Sequence, residues 1–555
     1  MSTAHSDTTV FLRTLALAEA RSAEEAWREA APLWEQVVAA NPVEGRFWSR
    51  LGEARFNAKD ERAAIDAYER VLDLRDGFPA ETAYRIGLCY ARLNEGDRAI
   101  EWLERAVAMG YRHLEKARDD PDLAPLRNDR RFRELFGMVK TAGDSRDEGW
   151  RDDLRFLARE VKRRAFMPFR ESPEVRFDDA VEALNRAIPG LRDAQILVEM
   201  AKLLRLLGDA HAYVAAPDER PDLKRSIPLR LFLFEEGLHV VAAEPAYESV
   251  LGGEVLAFGE SASQDAIDAV NQLIGADNEN GQWPRYIATL TLVQTPILQA
   301  LGVIPEPERV ALTVRRPNGE VVTETIEADQ QWSRSEMRNA LPCPEGWRFF
   351  PETLETPVPL YLKNAGASYW FEYLPDARVV YWQFNRVRDD AVEPLARFSE
   401  RIFAFIDDHP VDKLVLDLRW NSGGNTFLEL PLLHGLIANR KINRRGRLFV
   451  IIGRKTFSAA QNGATMIDRH TEAIFVGEPT GSSPTFVGES VEFQLPYSKL
   501  LANVSDLLWQ TGWPMDYRTW IAPTIYTPPT FADFRANRDP ALEAILTLRE
   551  HLPGW

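Results

Sequence analysis

At 555 residues the chain exceeds the roughly 250–300 residues at which a single hydrophobic core stops growing, so about three or four domains are expected. Hydrophobic residues make up 45% and charged residues 27%, the balance of an ordinary folded protein. A net charge of −17 excludes nucleic acid or an anionic membrane as the expected main partner. No uncharged apolar run of about 18 residues occurs, so no spanning helix and no membrane partner are expected. Cys89 and Cys343 lie far apart and lack CxxC spacing, which argues against a disulfide framework or zinc site and for a reducing compartment. The first residues show no basic segment followed by an apolar stretch; no secretory signal is read there, and a cytoplasmic location is the expectation.

The first 110 residues repeat. Leu51-Gly52 recurs as Ile86-Gly87 and Ile65 as Ile100, 35 residues on; Trp34 matches Tyr68 and Val37 matches Val71, 34 residues on. Apolar residues at helical spacing fill the intervals, as in AAIDAYERVL and RAIEWLERAV. Ala54 and Cys89 are the small residues where paired helices come close, and Pro42 and Pro79 are expected to close the second helices. A helix–turn–helix period of about 34 residues resembles the tetratricopeptide repeat (TPR), with two clear repeats and a partial one before them. The segment 120–135 resembles the cap that follows such repeats, giving a first domain over 1–140. Such an array implies a protein partner, and homo-oligomerisation is a further possibility.

Polar residues 141–148 read as a linker. Residues 149–225 are expected to be a helical lead-in, with apolar residues at 3.6 spacing in AQILVEMAKLLRLLGD. From 226 to 330 the pattern turns to strands: RSIPLRLFLFEEGLHVVAAEP reads as two strands about a Glu-Gly turn, and GGEVLAFGE and RVALTVRRPNGEVVTETIEA continue it around the helix ASQDAIDAVNQLIG. This order resembles a divergent PDZ-type module. Within 331–555, strands and helices alternate from 378 onward: ARVVYWQFN, then a helix to 410, KLVLDLRWN, RLFVIIG, a helix from 458, and AIFVGEP. Such alternation predicts a mostly parallel sheet covered on both faces.

Two loops at C-terminal ends of predicted strands stand out, where open α/β sheets place their sites. In DLRWNSGGN the paired Gly423 and Gly424 can turn sharply and present bare N–H groups. In GRKTFSAAQNG, Ser458 follows a strand and begins a helix, near the positive end of the helix dipole. A serine there can attack a carbonyl while the Ala459 N–H and a glycine N–H hold the oxyanion. The same position also suits a plain helix-capping serine, and local sequence leaves both open.

DLRWNSGGN, TFSAAQNG and VGEPTGSSP in this order resemble the C-terminal-processing (tail-specific) serine peptidases and their tricorn-core relatives, over roughly 150–530. The resemblance implies a ClpP/crotonase-like α/β peptidase core, a peptide or protein substrate and no cofactor or metal. It implies Ser458 as nucleophile, with Ala459 and Gly423 or Gly424 as the oxyanion hole. The tail-specific branch uses a lysine where this chain has Ser483, so the Ser–Lys dyad is absent. The tricorn-like branch uses a histidine at a helix-to-strand junction, which here is His211. Of the other histidines, His470 lies about 18 Å along the helix of Ser458. The resemblance also points to an acid before a segment like WIAPTIYT, here Asp516, with Asp209 as rival, and to Asn385 at a strand end for substrate binding. Trp509, Trp513, Tyr517 and Trp520 read as core or as a specificity pocket.

The expected function is therefore a serine peptidase of tricorn-like type: Ser458 attacks, His211 transfers the proton and Asp516 orients it. An inactive peptidase-fold scaffold and an esterase-type hydrolase are the alternatives, since one fold carries many activities.

Overall fold

The computed structural model describes residues 2–137, 145–278, 281–331 and 343–548. The chain divides into two compact units, Met1–Arg164 with Pro496–Ser498, and Ala165–Leu495 with Lys499–Trp555. The helix Arg146–Arg164, expected to lead into the second region, belongs to the first unit. Of the polar linker, 141–144 lie outside the described residues, and Arg146 already opens that helix.

The first unit is built of antiparallel helix pairs: Ser2–Ala23 with Trp27–Ala40, Gly45–Asn57 with Glu61–Asp73, and Pro79–Arg92 with Gly96–Ala108. The repeated glycine explains the tight pairing. A Cβ on Gly52 would stand 2.5 Å from the Tyr68 ring, and one on Gly87 would stand 3.0 Å from Leu103. Ala54 and Cys89 are fully buried beside them. Pro42 follows the second helix as expected, but Pro79 opens a helix rather than closing one. Its missing N–H is harmless in a first turn, where that donor has no intrahelical acceptor. The segment 120–135 forms a 3₁₀ turn, Pro121–Leu126, and a short helix, Arg130–Leu135, with Leu123 and Phe132 buried.

In the second unit, Leu229–Leu233 and Leu238–Ala243 form the hairpin expected about the Glu-Gly turn. They join Glu254–Phe258, Arg309–Arg315 and Val321–Glu327 in a seven-stranded antiparallel sheet, with the helix Ser263–Asn271 beside it.

The α/β core is a six-stranded sheet. Tyr369–Leu374 pairs antiparallel with Val379–Phe384; Lys413–Asp417, Leu448–Ile452, Ile474–Gly477 and Ile525–Tyr526 then follow in parallel. The central strands are mostly apolar because both faces are covered. Val380, Trp382, Leu414, Leu416, Val450 and Ile452 face the helices Leu395–Asp408, Leu430–Ala438 and Ala459–His470. Val379, Tyr381, Val415, Phe449 and Ile451 face the helix Pro540–Thr547. Each such aliphatic side chain contributes about 1.5–3 kcal/mol by leaving water, which makes the strand ends a rigid platform.

A long hairpin, Thr485–Gln494 with Leu501–Gln510, follows the strand Ile474–Gly477. The short strand Tyr213–Ala215 adds to its edge, pairing Tyr213 with Asn503.

Candidate active site

Ser458 stands between the strand Leu448–Ile452 and the helix Ala459–His470, with φ 56° and ψ −124°. A non-glycine residue seldom adopts a positive φ, and when one does at a strand-to-helix turn the strain is held by the surroundings. Here the surroundings are explicit. The Thr456 hydroxyl donates to the Leu418 carbonyl at 2.9 Å and accepts from the Gly453 N–H at 3.1 Å. The Phe457 N–H donates to the Asn421 carbonyl at 3.1 Å, tying the serine loop to the Gly-Gly loop. The Ser458 hydroxyl makes no capping bond to its helix, so the capping role that its sequence position also suited is not the one it performs. The Ala459 N–H lies in the first turn, without an intrahelical acceptor.

Gly423 presses directly on this corner. A Cβ there would lie 2.7 Å from the Ser458 Cβ and 2.7 Å from the Ala459 nitrogen, and its φ is +102°. Its N–H donates to Asn421 Oδ1 at 2.9 Å. Gly424 is packed against Val387, whose carbonyl a Cβ would meet at 2.0 Å. The two strands of that contact bond through the Gly423 carbonyl and the Asn425 N–H, so the Gly424 N–H points away from Val387.

His211 lies in the turn between the helix Asp193–Arg205 and the strand Tyr213–Ala215. Its carbonyl accepts from Asn503 Nδ2 at 2.8 Å, so the hairpin fixes its backbone. Its ring centroid is 4.4 Å from that of Phe457, the residue before Ser458, and it stacks on Phe486 at 5.8 Å. His211, Gly424, Phe457 and Ser458 line one cavity of about 450 Å³ with otherwise mostly apolar walls.

The carboxylate beside His211 is Asp209. Its Oδ1 accepts the His211 N–H at 2.8 Å and lies 3.9 Å from the ring Nδ1. Ser505 completes the grip, donating its N–H at 2.9 Å and its hydroxyl at 3.0 Å. Asp516 is occupied elsewhere. Arg518 donates to both its oxygens, at 3.0 Å and 2.8 Å, and holds its carboxyl below the usual range. Asp516 does not line the cavity, and neither does Asn385, whose amide donates to the Ala367 carbonyl at 3.0 Å. Trp513 and Tyr517 are 58% and 80% exposed and do not line the cavity, so they form neither core nor its wall; they sit on the loop beyond the hairpin, with the Arg469 guanidinium 4.2 Å over the Trp513 ring.

Ser483, at the place of the absent lysine, is buried; it accepts from Asn278 Nδ2 at 2.8 Å and donates to the Thr519 carbonyl at 3.2 Å. Glu478 forms a two-bonded ion pair with Arg454, both contacts 2.8 Å; burial alone would raise its carboxyl, but the guanidinium holds it below its ordinary value. Among the described residues no group of three His, Cys, Asp or Glu is arranged to hold a metal, and no helix is long and apolar enough to cross a membrane.

Known proteins bear on this geometry. A tetratricopeptide repeat model matches residues 80–109. A chloroplastic protein of Arabidopsis thaliana is 34% identical over 83 residues, 14% of this chain and 24% of that protein, so the chain spans about a quarter of this curated relative. Mature CPAF, in a complex with lactacystin, superposes over 72% of this chain and 97% of its own with a TM-score of 0.51 at 13% identity. The chain has the CPAF fold. The photosystem II D1 C-terminal processing protease covers 68% of this chain and 93% of its own, at 13% identity and a TM-score of 0.34. Ahead of that fold lies the tetratricopeptide region, as the 34-residue period indicated.

One residue of the site left no trace in sequence. Asp277, from the β-rich insert, accepts the Ala210 N–H at 3.2 Å and the Ser482 hydroxyl. Loss of solvation pushes its carboxyl up to about 7. It lies 66 residues beyond His211, and only the tertiary fold brings it to the histidine turn.

Proposed function

We propose that the chain is a serine peptidase and that its repeat region holds a protein partner. The observation that carries the reading is the strained, non-capping Ser458 facing the same cavity as His211. In this reading the Ser458 hydroxyl attacks a peptide carbonyl and its proton passes to the His211 imidazole. The tetrahedral oxyanion is held by the Ala459 and Gly424 N–H groups, because the Gly423 N–H is already given to Asn421. As the C–N bond breaks, His211 returns the proton to the leaving amine. Water, deprotonated by the same imidazole, then releases the acyl group and restores the hydroxyl.

Asp209 is the orienting acid of this proposal in place of Asp516. It fixes the His211 backbone and sets a negative charge 3.9 Å from the ring. The largely apolar walls of this half-open cavity favour an extended peptide with small or aliphatic side chains. The test is hydrolysis of an unstructured protein by wild type and by Ser458→Ala, with products identified by mass. Cleavage by wild type that disappears in Ser458→Ala supports the proposal; equal cleavage by both, or none by either, counts against it.

A further inference from the structure

The imidazole of His211 is held by the flat faces of other rings. The Phe457 ring lies 4.4 Å from it, and the Phe486 ring, nearly parallel at 9°, lies 5.8 Å from it. Phe457 is in turn backed by Trp283, whose ring stacks on it at 3.9 Å and 8°. The four rings come from four separate segments: the β-rich insert, the serine loop, the histidine turn and the hairpin. Trp283 opens the helix Trp283–Thr291; its N–H donates to the Gly481 carbonyl at 3.3 Å, and the Gly481 N–H donates to the Thr456 carbonyl at 2.9 Å. Tyr286, one turn on in that helix, carries the Lys455 ammonium 5.0 Å over its ring, so the helix grips the serine loop at two places. Phe457 and Phe486 are both buried. Rings stacked on an imidazole fix the plane in which its nitrogens lie, and misplacement of a reacting group by about 1 Å costs about a hundred-fold in rate. The rings also act on charge. The His211 side chain is 10% exposed, and burial opposes an imidazolium. The face of an aromatic ring within about 6 Å attracts a cation, and both flanking rings meet that distance.

We propose that Phe457 and Phe486 are positioning residues: they stack on His211, fix the plane of its ring and favour the imidazolium formed when the Ser458 hydroxyl gives up its proton, while Trp283 holds Phe457 in the stack. Their catalytic meaning rests on the peptidase reading, but the stack itself needs no catalysis. The charged groups on the surrounding elements are Asp209 in the histidine turn, Asp277 at the Ala210 N–H, Lys224 on the cavity wall, Lys455 in the serine loop and Glu492 on the hairpin. All five remain in the variants below, so a change in the titration of His211 reports the rings.

The test uses the full chain with isotope-labelled histidine rings, followed by NMR, in which the His211 signal is the one absent from His211→Gln. In Phe486→Leu the proton between the two ring nitrogens moves downfield as a ring current is lost, and the titration midpoint of His211 falls by about half a unit to one unit. Trp283→Leu moves both readouts in the same direction, and Trp283→Phe, which keeps a flat face, restores them. Trp283 is half-buried, so Trp283→Leu carries the test if Phe486→Leu fails to fold. The same proteins are then treated with a fluorophosphonate. Phe486 does not line the cavity, so its loss reaches the probe through His211. Labelling of Ser458 in Phe486→Leu slows by about ten-fold or more, and the pH at which its rate is half-maximal falls with the NMR midpoint. An unchanged His211 signal and midpoint in the leucine variants, a Trp283→Phe that behaves as Trp283→Leu, or labelling of Phe486→Leu at the wild-type rate and pH each overturns the inference. A wild type that takes no adduct while the NMR readouts move as expected sinks the peptidase reading and leaves the stack standing, so the two failures are told apart.

Discussion

Replacing Gly423 by alanine isolates the close approach that shapes the corner at Ser458. Two effects add. The left-handed backbone, φ +102°, costs a residue with a Cβ about 1–2 kcal/mol. The new Cβ also stands 2.7 Å from the Ser458 Cβ and the Ala459 nitrogen, against the 3.4 Å of ordinary contact, so these atoms must retreat by about 0.7 Å. Misplacement of a reacting group by about 1 Å costs about a hundred-fold in rate. Gly446 supplies the control: its φ is +82° and nothing lies within 4 Å of its added Cβ, so alanine there brings the strain without the clash. Both variants are expected to melt a few degrees below wild type. Phosphonylation of Ser458 by a fluorophosphonate, with loss of fluoride, is expected to slow about a hundred-fold in Gly423→Ala and to change less than about two-fold in Gly446→Ala. Equal phosphonylation rates in the two variants refute the reasoning.

The orienting acid is tested by a pair of changes. Asp209→Asn takes the charge from beside His211 and leaves the three donors of His211 and Ser505 sharing a weaker acceptor; the phosphonylation rate is expected to fall by about ten-fold or more and stability by about 2–3 kcal/mol. Asp516→Asn loses only its pair with the partly exposed Arg518, so the phosphonylation rate stays within about two-fold and stability falls by about 1 kcal/mol or less, and the reverse ranking in stopped-flow labelling contradicts the assignment. Asp277 sets a pH dependence: its carboxyl, raised to about 7 from 3.8, binds its proton more tightly folded than unfolded. That contribution is complete below about pH 4 and is lost as pH rises through about 7, amounting to no more than about 4 kcal/mol. Asp277→Asn keeps both hydrogen-bond partners and is expected to flatten urea-denaturation stability between those values; an unchanged slope removes Asp277 from the account.

The sheet and the repeats were legible because their signals are local and redundant. Val379–Phe384, Lys413–Asp417 and Leu448–Ile452 are apolar on both faces, and a 34–35-residue period survives any single misread residue. Pro79 was misassigned because a proline ends one helix as readily as it begins the next, and sequence alone does not say which. The hairpin Thr485–Gln510 went unread, and with it the reason His211 is held in place, since its strands are half polar and its partner strand lies almost 300 residues earlier. Motif resemblance pointed to His211 and Ser458, which the fold brings to one cavity. It did not resolve the acid, because the choice between Asp209 and Asp516 depends on who else claims each carboxylate. Arg518, two residues on, claims Asp516; Ser505, 296 residues on, shares Asp209 with His211. Asn385 was similarly spent on the neighbouring 364–368 turn.

The central claim, an activated serine at 458 served by His211, is tested most directly by intact-mass spectrometry after fluorophosphonate treatment of wild type, Ser458→Ala and His211→Ala. The account expects one adduct on wild type, none on Ser458→Ala, and an adduct on His211→Ala that forms at least about a hundred-fold more slowly. A folded wild-type protein that takes no adduct, or one that is labelled as fast without His211, contradicts it.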